Sequence, residues 1–137
     1  MLQLSECFLQ LERDENVRVV ILTGKGKAFA AGADIGNLAA STSKSFLFDD
    51  KTAHDLEYGV RYFRKPFIAA INGLALGGGL EVAMMADILL CTESSKLGLP
   101  ELNLGVMPGS GGTVRLTQAV GKSKAMEMLL TGEPINA

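Results

Sequence analysis

The sequence predicts an α/β fold with mostly parallel strands, and three observations carry that expectation. Three short, nearly continuous apolar runs, at residues 17–23, 67–71 and 87–92, have the length and composition of strands buried on both faces. Segments with apolar residues at helical spacing lie between them, and Gly-rich turns mark the joins. At 137 residues the chain suffices for one domain that buries roughly two thirds of its unfolded surface.

Leu4, Cys7, Phe8 and Leu11 recur at helical spacing, so the chain opens in an amphipathic helix that runs out near Asp14-Glu15-Asn16. Val17-Arg18-Val19-Val20-Ile21-Leu22-Thr23 follows as the first buried strand. Small residues dominate from Gly24 to Gly36, a stretch that can turn tightly and let another molecule approach the backbone. The polar stretch from Ser41 to Asp50 reads as a mobile surface connection. Ala53, Leu56, Val60 and Phe63 then form a helical stripe that Pro66 stops.

Phe67-Ile68-Ala69-Ala70-Ile71 is the second buried strand, Asn72-Gly73 a turn, and Leu74-Ala75-Leu76 a short extension into Gly77-Gly78-Gly79. A helix starts at those glycines and runs through Val82-Ala83-Met84-Met85. Residues 87–92 give the third strand, after which Ser94-Ser95 and a short segment reach Pro100-Glu101. Pro108-Gly109-Ser110-Gly111-Gly112 feeds a helix containing Val114, Leu116 and Val120, ended by Gly121. Ser123 is placed to cap the next helix, which carries Ala125, Met126, Met128, Leu129 and Leu130 and stops at Gly132. A further element begins at Pro134. No internal repeat or low-complexity tract interrupts the order.

With 47% hydrophobic residues, 20% charged residues and a net charge of −2, the chain reads as a soluble globular domain with no broad positive field. Neither nucleic acid nor an anionic membrane is an expected partner, and any anion must be held locally. Cys7 and Cys91 lie far apart, have no Cys or His at metal-ligand spacing, and are expected to pack as reduced small hydrophobes. Neither a signal peptide nor an Arg-rich presequence precedes the first helix, and no apolar run approaches the ~20 residues needed to cross a bilayer. A cytoplasmic or mitochondrial-matrix protein that is not secreted is therefore expected.

Glu81 and Glu101 stand out chemically. Each follows a Gly- or Pro-marked turn inside an apolar stretch, where loss of water disfavours the charged form and moves the pKa toward values useful for proton transfer. They read as an acid/base pair. Gly77-Gly78-Gly79 at a helix start has two readings: tight packing of helix on sheet, or free backbone N–H groups for a developing oxyanion. Glu81, at the start of the same helix, favours the second.

Nucleotide binding fails on the residues, because Gly24-Lys25-Gly26-Lys27 lacks the P-loop spacing and no G-x-G-x-x-G is present. His54 is the only histidine and sits among polar neighbours, which suits a solvated side chain rather than a triad. Met84, Met85, Met126 and Met128 read as core filler.

Lys27-Ala28-Phe29-Ala30-Ala31-Gly32-Ala33-Asp34-Ile35, the stretch from Lys65 to Glu81, Gly98-Leu99-Pro100-Glu101 and Pro108-Gly109-Ser110-Gly111-Gly112-Thr113 together resemble the enoyl-CoA hydratase/isomerase (crotonase) family, in the family's order and over nearly the whole chain. The resemblance implies a crotonase-like ββα spiral core of mostly parallel strands, here a partial domain over residues 1–137 that is expected to lack both the family's first strand, upstream of Leu4, and the C-terminal helical region. It also implies an acyl-CoA thioester substrate and no cofactor or metal, since CoA belongs to the substrate.

Carried over position by position, the resemblance gives Ala33 and Gly78 the backbone N–H groups that hold the thioester oxygen. Glu81 matches the family glutamate that positions and deprotonates water, and Glu101 the one that gives or takes the proton at Cα. Ala31, Ala33, Asp34, Ile35 and Gly36 match the backbone that meets CoA, and Gly109 lies where the family shapes the pocket beside the second glutamate. Gly36 departs from the Lys that family hydratases often carry. The implied reaction is addition of water to a trans-2-enoyl-CoA in fatty-acid β-oxidation or related degradation, because both acids are kept where many isomerases keep one. The alternatives are double-bond isomerisation and a truncated, non-catalytic subunit that assembles with full-length partners. The resemblance implies a homotrimer or homohexamer, which a chain without the C-terminal helices is not expected to complete; by itself the chain is expected to be weakly active or inactive.

Overall fold

The computed structural model describes residues 2–40, 42 and 58–137. It divides into two compact units, Met1–Val20 with Asp34–Pro66 and Ile21–Ala33 with Phe67–Ala137. The expected polar connection from Ser41 to Asp50 (Thr42 apart), and Ala53, His54 and Leu56, lie outside the described residues.

In the first unit, helix α1 spans Leu2–Arg13. The helix ends as its sequence anticipates, and Lys65 Nζ donates to the carbonyls of Leu11 and Asp14, both at 2.6 Å, satisfying acceptors that a helix terminus leaves unpaired. The Glu12 carboxylate accepts from the backbone N–H and from Nε of Arg64, at 2.9 and 2.8 Å. Phe8 is fully buried and meets Phe63 edge-on with ring centroids 5.0 Å apart. A short helical turn over 58–61 buries Val60, and a Cβ on Gly59 would collide with Ser5 of α1. Helix α2, Ile35–Ala40, begins at Asp34, whose Oδ1 accepts the Gly36 N–H at 2.8 Å.

The second unit holds the strands β1 (Val20–Thr23, from its second residue), β2 (Ala28–Ala30), β3 (Phe67–Ile71), β4 (Leu74–Leu76), β5 (Ile88–Cys91), β6 (Lys96–Gly98) and β7 (Ile135–Asn136). Its helices are α3 (Gly78–Ala83), α4 (Gly112–Val120) and α5 (Lys122–Thr131), with a 3-10 helix at Pro100–Leu104. One sheet has the order β1-β3-β5 and the other β2-β4-β6-β7. The pairs β3/β5, β2/β4 and β4/β6 are parallel, and β7 joins β6 antiparallel. Each successive β-β pair, β1 and β2, β3 and β4, β5 and β6, thus places one strand in each sheet before a helix follows, which is a ββα spiral.

Between these layers lies a core of Ala69, Ile71, Ala75, Leu80, Ala83, Leu99, Leu116, Ala125 and Met128. Strand β3 turns Phe67, Ala69 and Ile71 inward, as the period of two requires. Asn72 fixes the turn after β1: its Nδ2 donates to the Gly24 and Gly26 carbonyls and its Oδ1 accepts the Gly24 N–H.

Several expectations need correction. The run 17–23 forms a strand only from Val20, and Ile21 is 63% exposed, while all four residues of β5 are exposed. Both strands are edges of a three-stranded sheet, so apolar composition that suits burial on both faces is left open. Cys7 and Cys91 are exposed rather than packed, Cys91 because it ends the edge strand β5. Met126 is likewise exposed, whereas Met128 is buried. The helix begun at the glycines ends at Ala83, short of Met84-Met85. Ser123 caps nothing: Gly121, at φ +78°, both ends α4 and precedes α5, which starts at Lys122. The three-residue strands β2 and β6 and the 3-10 helix are additional to the expected elements, because their residues carry no apolar periodicity.

Candidate active site

The three glycines between β4 and α3 have different jobs. Gly77 adopts φ +53°, ψ −132°, a conformation that side-chain-bearing residues avoid, and its N–H donates to the Gly98 carbonyl at 2.9 Å. A Cβ on Gly79 would collide with the backbone of Ala30, so this glycine lets α3 pack on β2. A Cβ on Gly78 would meet nothing within 4 Å. Packing accounts for Gly79, therefore, and leaves Gly78 facing open space. As the first helical residue, Gly78 has no intrahelical partner for its N–H, which meets no acceptor among the described residues.

Gly32, at φ +99°, brings the first small-residue loop to the same place. A Cβ there would lie 3.1 Å from the Leu76 carbonyl oxygen and 3.7 Å from the Gly78 nitrogen. Ala33 is the next residue, so its backbone neighbours that of Gly78, and its N–H also meets no acceptor among the described residues.

Glu81, the fourth residue of α3, is 2% exposed. Its Oε1 accepts two backbone N–H groups, from Ser110 at 2.8 Å and Gly112 at 2.7 Å. Such bonds to a charged acceptor are among the stronger ones in proteins. Among the described residues no donor engages its other oxygen, which leaves that oxygen for a ligand.

Glu101 sits on the 3-10 helix just after Pro100. Its Oε1 would be 3.1 Å from a Cβ on Gly77, which places the carboxyl beside the β4–α3 turn. Its Oε2 is buried with no hydrogen-bond partner among the described residues. Burial, chiefly, and the neighbouring negative charge of Glu81 push the Glu101 carboxyl above the usual carboxylate range, against an opposing bond from its own backbone. One acid is thus clamped by amides and the other is biased toward keeping its proton.

The structure therefore gathers Ala31, Ala33, Gly78, Glu81, Glu101 and the loop that contains Gly109 in one unit. Gly109 would place a Cβ within 4 Å of nothing. Asp34, Ile35 and Gly36 belong to the other unit, where Asp34 holds the start of α2 and Ile35 is 60% exposed. Sequence reasoning missed Ser110 and Gly112, whose amides hold Glu81. The signal was Gly109-Ser110-Gly111-Gly112 itself, a loop whose Gly111 takes φ +90° to aim both amides inward. A separate open groove of ≈ 290 Å³, lined by Met84, Ala86, Leu89, Arg115, Gln118 and Ala119, includes neither glutamate; the carboxyl pair marks the chemistry better than that hollow does. Among the described residues no helix is long and apolar enough to cross a membrane.

Comparison with known proteins bears on the family and the fold. The family model described as enoyl-CoA hydratase/isomerase matches residues 1–137. A probable enoyl-CoA hydratase of Bacillus subtilis is 47% identical over 137 residues, covering 98% of this chain and 52% of the relative. The 2,3-dehydroadipyl-CoA hydratase of Escherichia coli is 45% identical, over 90% of this chain and 48% of its own. The solved structure of an enoyl-CoA hydratase from Bacillus anthracis superposes with a TM-score of 0.89 at 40% identity, covering 98% of this chain and 53% of that one. The chain thus spans about half the length of the curated relatives it matches. Matched from end to end in sequence and in the path of its strands, the chain belongs to the enoyl-CoA hydratase/isomerase family.

Proposed function

We propose that the protein hydrates 2-enoyl-CoA thioesters, adding water reversibly to give 3-hydroxyacyl-CoA. The observation that carries this reading is the unlike pair of acids: Glu81 clamped through Oε1 by two amides, and Glu101 half-buried with a buried, unpartnered Oε2 and a raised pKa. Isomerisation needs one group to move a proton between two carbons. Hydration needs a base for water and an acid for carbon, held in opposite protonation states.

In the proposed reaction the thioester oxygen lies against the Ala33 and Gly78 N–H groups. As negative charge builds there, each fixed donor lowers the barrier by about 3–4 kcal/mol. Glu81 takes a proton from the bound water as its oxygen bonds to Cβ, and the electron pair of the double bond moves toward the thioester. Glu101 then delivers its proton to Cα. A proton passed from Glu81 to Glu101 restores the starting state, so the cycle needs no redox or metal partner and CoA enters only with the substrate.

Absorbance loss of crotonyl-CoA, measured beside conversion of a 3-enoyl-CoA, tests the proposal. Hydration, at a low rate for the chain by itself, with little isomerisation is expected; isomerisation without hydration would contradict it. A non-catalytic role in a heteromer predicts neither reaction from this protein.

A further inference from the structure

The bonds that hold Glu81 continue one step outward. Arg115, the fourth residue of α4, donates from Nη1 to the Ser110 carbonyl at 2.7 Å. Its backbone N–H donates to the Gly111 carbonyl at 2.9 Å, and a Cβ on Gly111 would collide with its guanidinium. The guanidinium therefore lies across the peptide whose two flanking amides, Ser110 and Gly112, converge on Glu81 Oε1. No carboxylate pairs with Arg115 among the described residues. Its charge is directed at a backbone carbonyl, where a planar guanidinium holds orientation better than a flexible ammonium.

We propose that Arg115 is a positioning residue for Glu81, fixing the Gly109–Gly112 loop so that both amides grip Oε1 and the other carboxyl oxygen stays aimed at the reacting water. This inference rests on the hydratase reading. Arg115 touches neither water nor thioester in it; its effect passes through the loop. A pivot of the carboxyl by about 1 Å is enough to lower the rate by about 100-fold.

The test compares Arg115→Met and Arg115→Lys, each alone and combined with Glu81→Gln, in the full protein with crotonyl-CoA. Arg115→Met is expected to lower kcat by roughly 10- to 100-fold at nearly constant KM, and Arg115→Lys to recover part of that loss. In the Glu81→Gln background Arg115→Met should change the residual rate by less than about 2-fold, because the carboxylate it orients is gone. Equal losses in both backgrounds, or no loss in either, would overturn the assignment. Amide proton resonances of Ser110 and Gly112 give a readout that needs no turnover: Arg115→Met should shift both upfield and speed their exchange. Unmoved resonances would also overturn it. Absence of hydration by the unmodified protein would count against the hydratase reading instead, and the resonances would still decide the role of Arg115.

Discussion

Gly112→Ala probes the glutamate cradle from the side where there is least room. Gly112 is buried at the first position of α4, and its Cβ would stand 2.8 Å from Glu81 Oε1 and 2.9 Å from Leu99 Cδ1. Leu99 is 1% exposed and Glu81 2%, so neither can withdraw into solvent. Helix propensity favours Ala over Gly by at most about 1 kcal/mol, while overpacking costs about 1–3 kcal/mol. Loss of a bond from Gly112 N–H to the carboxylate adds about 1.5–3 kcal/mol. The net expectation is a destabilisation of about 1.5–5 kcal/mol, which at about 4 °C per kcal/mol lowers Tm by roughly 6–20 °C. Because the displaced atom belongs to the proposed base, hydration should fall by about 100-fold as well. Calorimetry and the crotonyl-CoA assay read the two effects separately. A variant with unchanged Tm and unchanged rate would refute the crowding argument and the placement of Glu81 with it.

Three further perturbations separate structure from chemistry. Glu81→Gln keeps an acceptor for the Ser110 and Gly112 amides but removes the base, so hydration should drop by about 100- to 10,000-fold while thermal melting changes little; unfolding of the variant would instead make Glu81 structural. Glu101 binds its proton more tightly folded than unfolded, so its stabilising contribution is fully present below the ordinary glutamate range and is lost as pH rises through the raised folded pKa. Glu101→Gln should accordingly be more stable than the unmodified protein at neutral pH, with the difference vanishing in acid; denaturant melts across pH 3–8 would show the opposite trend if Glu101 were an ion-paired carboxylate. Gly79→Ala should cost about 1–3 kcal/mol through its collision with Ala30, whereas Gly78→Ala should leave stability within about 0.5 kcal/mol, as expected where nothing is contacted. Equal losses at both positions would mean that Gly78 also serves packing.

Much of this arrangement was legible in the chain, for physical reasons. Phe67–Ile71 is a strand because its apolar run has strand length and ends in Asn72-Gly73, and α4 and α5 ended where glycines permit positive φ. Glu81 and Glu101 were visible because carboxylates in apolar stretches are rare. What stayed hidden depends on partners distant in sequence. Strands β2 and β6 exist because β4 offers a parallel neighbour to each, and no local periodicity announces that. The exposure of β1 and β5 follows from sheet order, which apolar composition does not encode. The role of the Ser110 and Gly112 amides requires knowing that a loop 29 residues beyond Glu81 folds back to it, and the different duties of Gly77, Gly78 and Gly79 emerge only when their neighbours are in place.

The most direct measurement is a crystal structure of the full protein with a saturated acyl-CoA that binds but cannot be hydrated. The thioester oxygen is expected about 2.7–3.1 Å from the backbone nitrogens of both Ala33 and Gly78, with one water bonded to Glu81 and Glu101 on the face of Cβ. A thioester bound elsewhere, or the two carboxyls aimed away from its β-carbon, would contradict it.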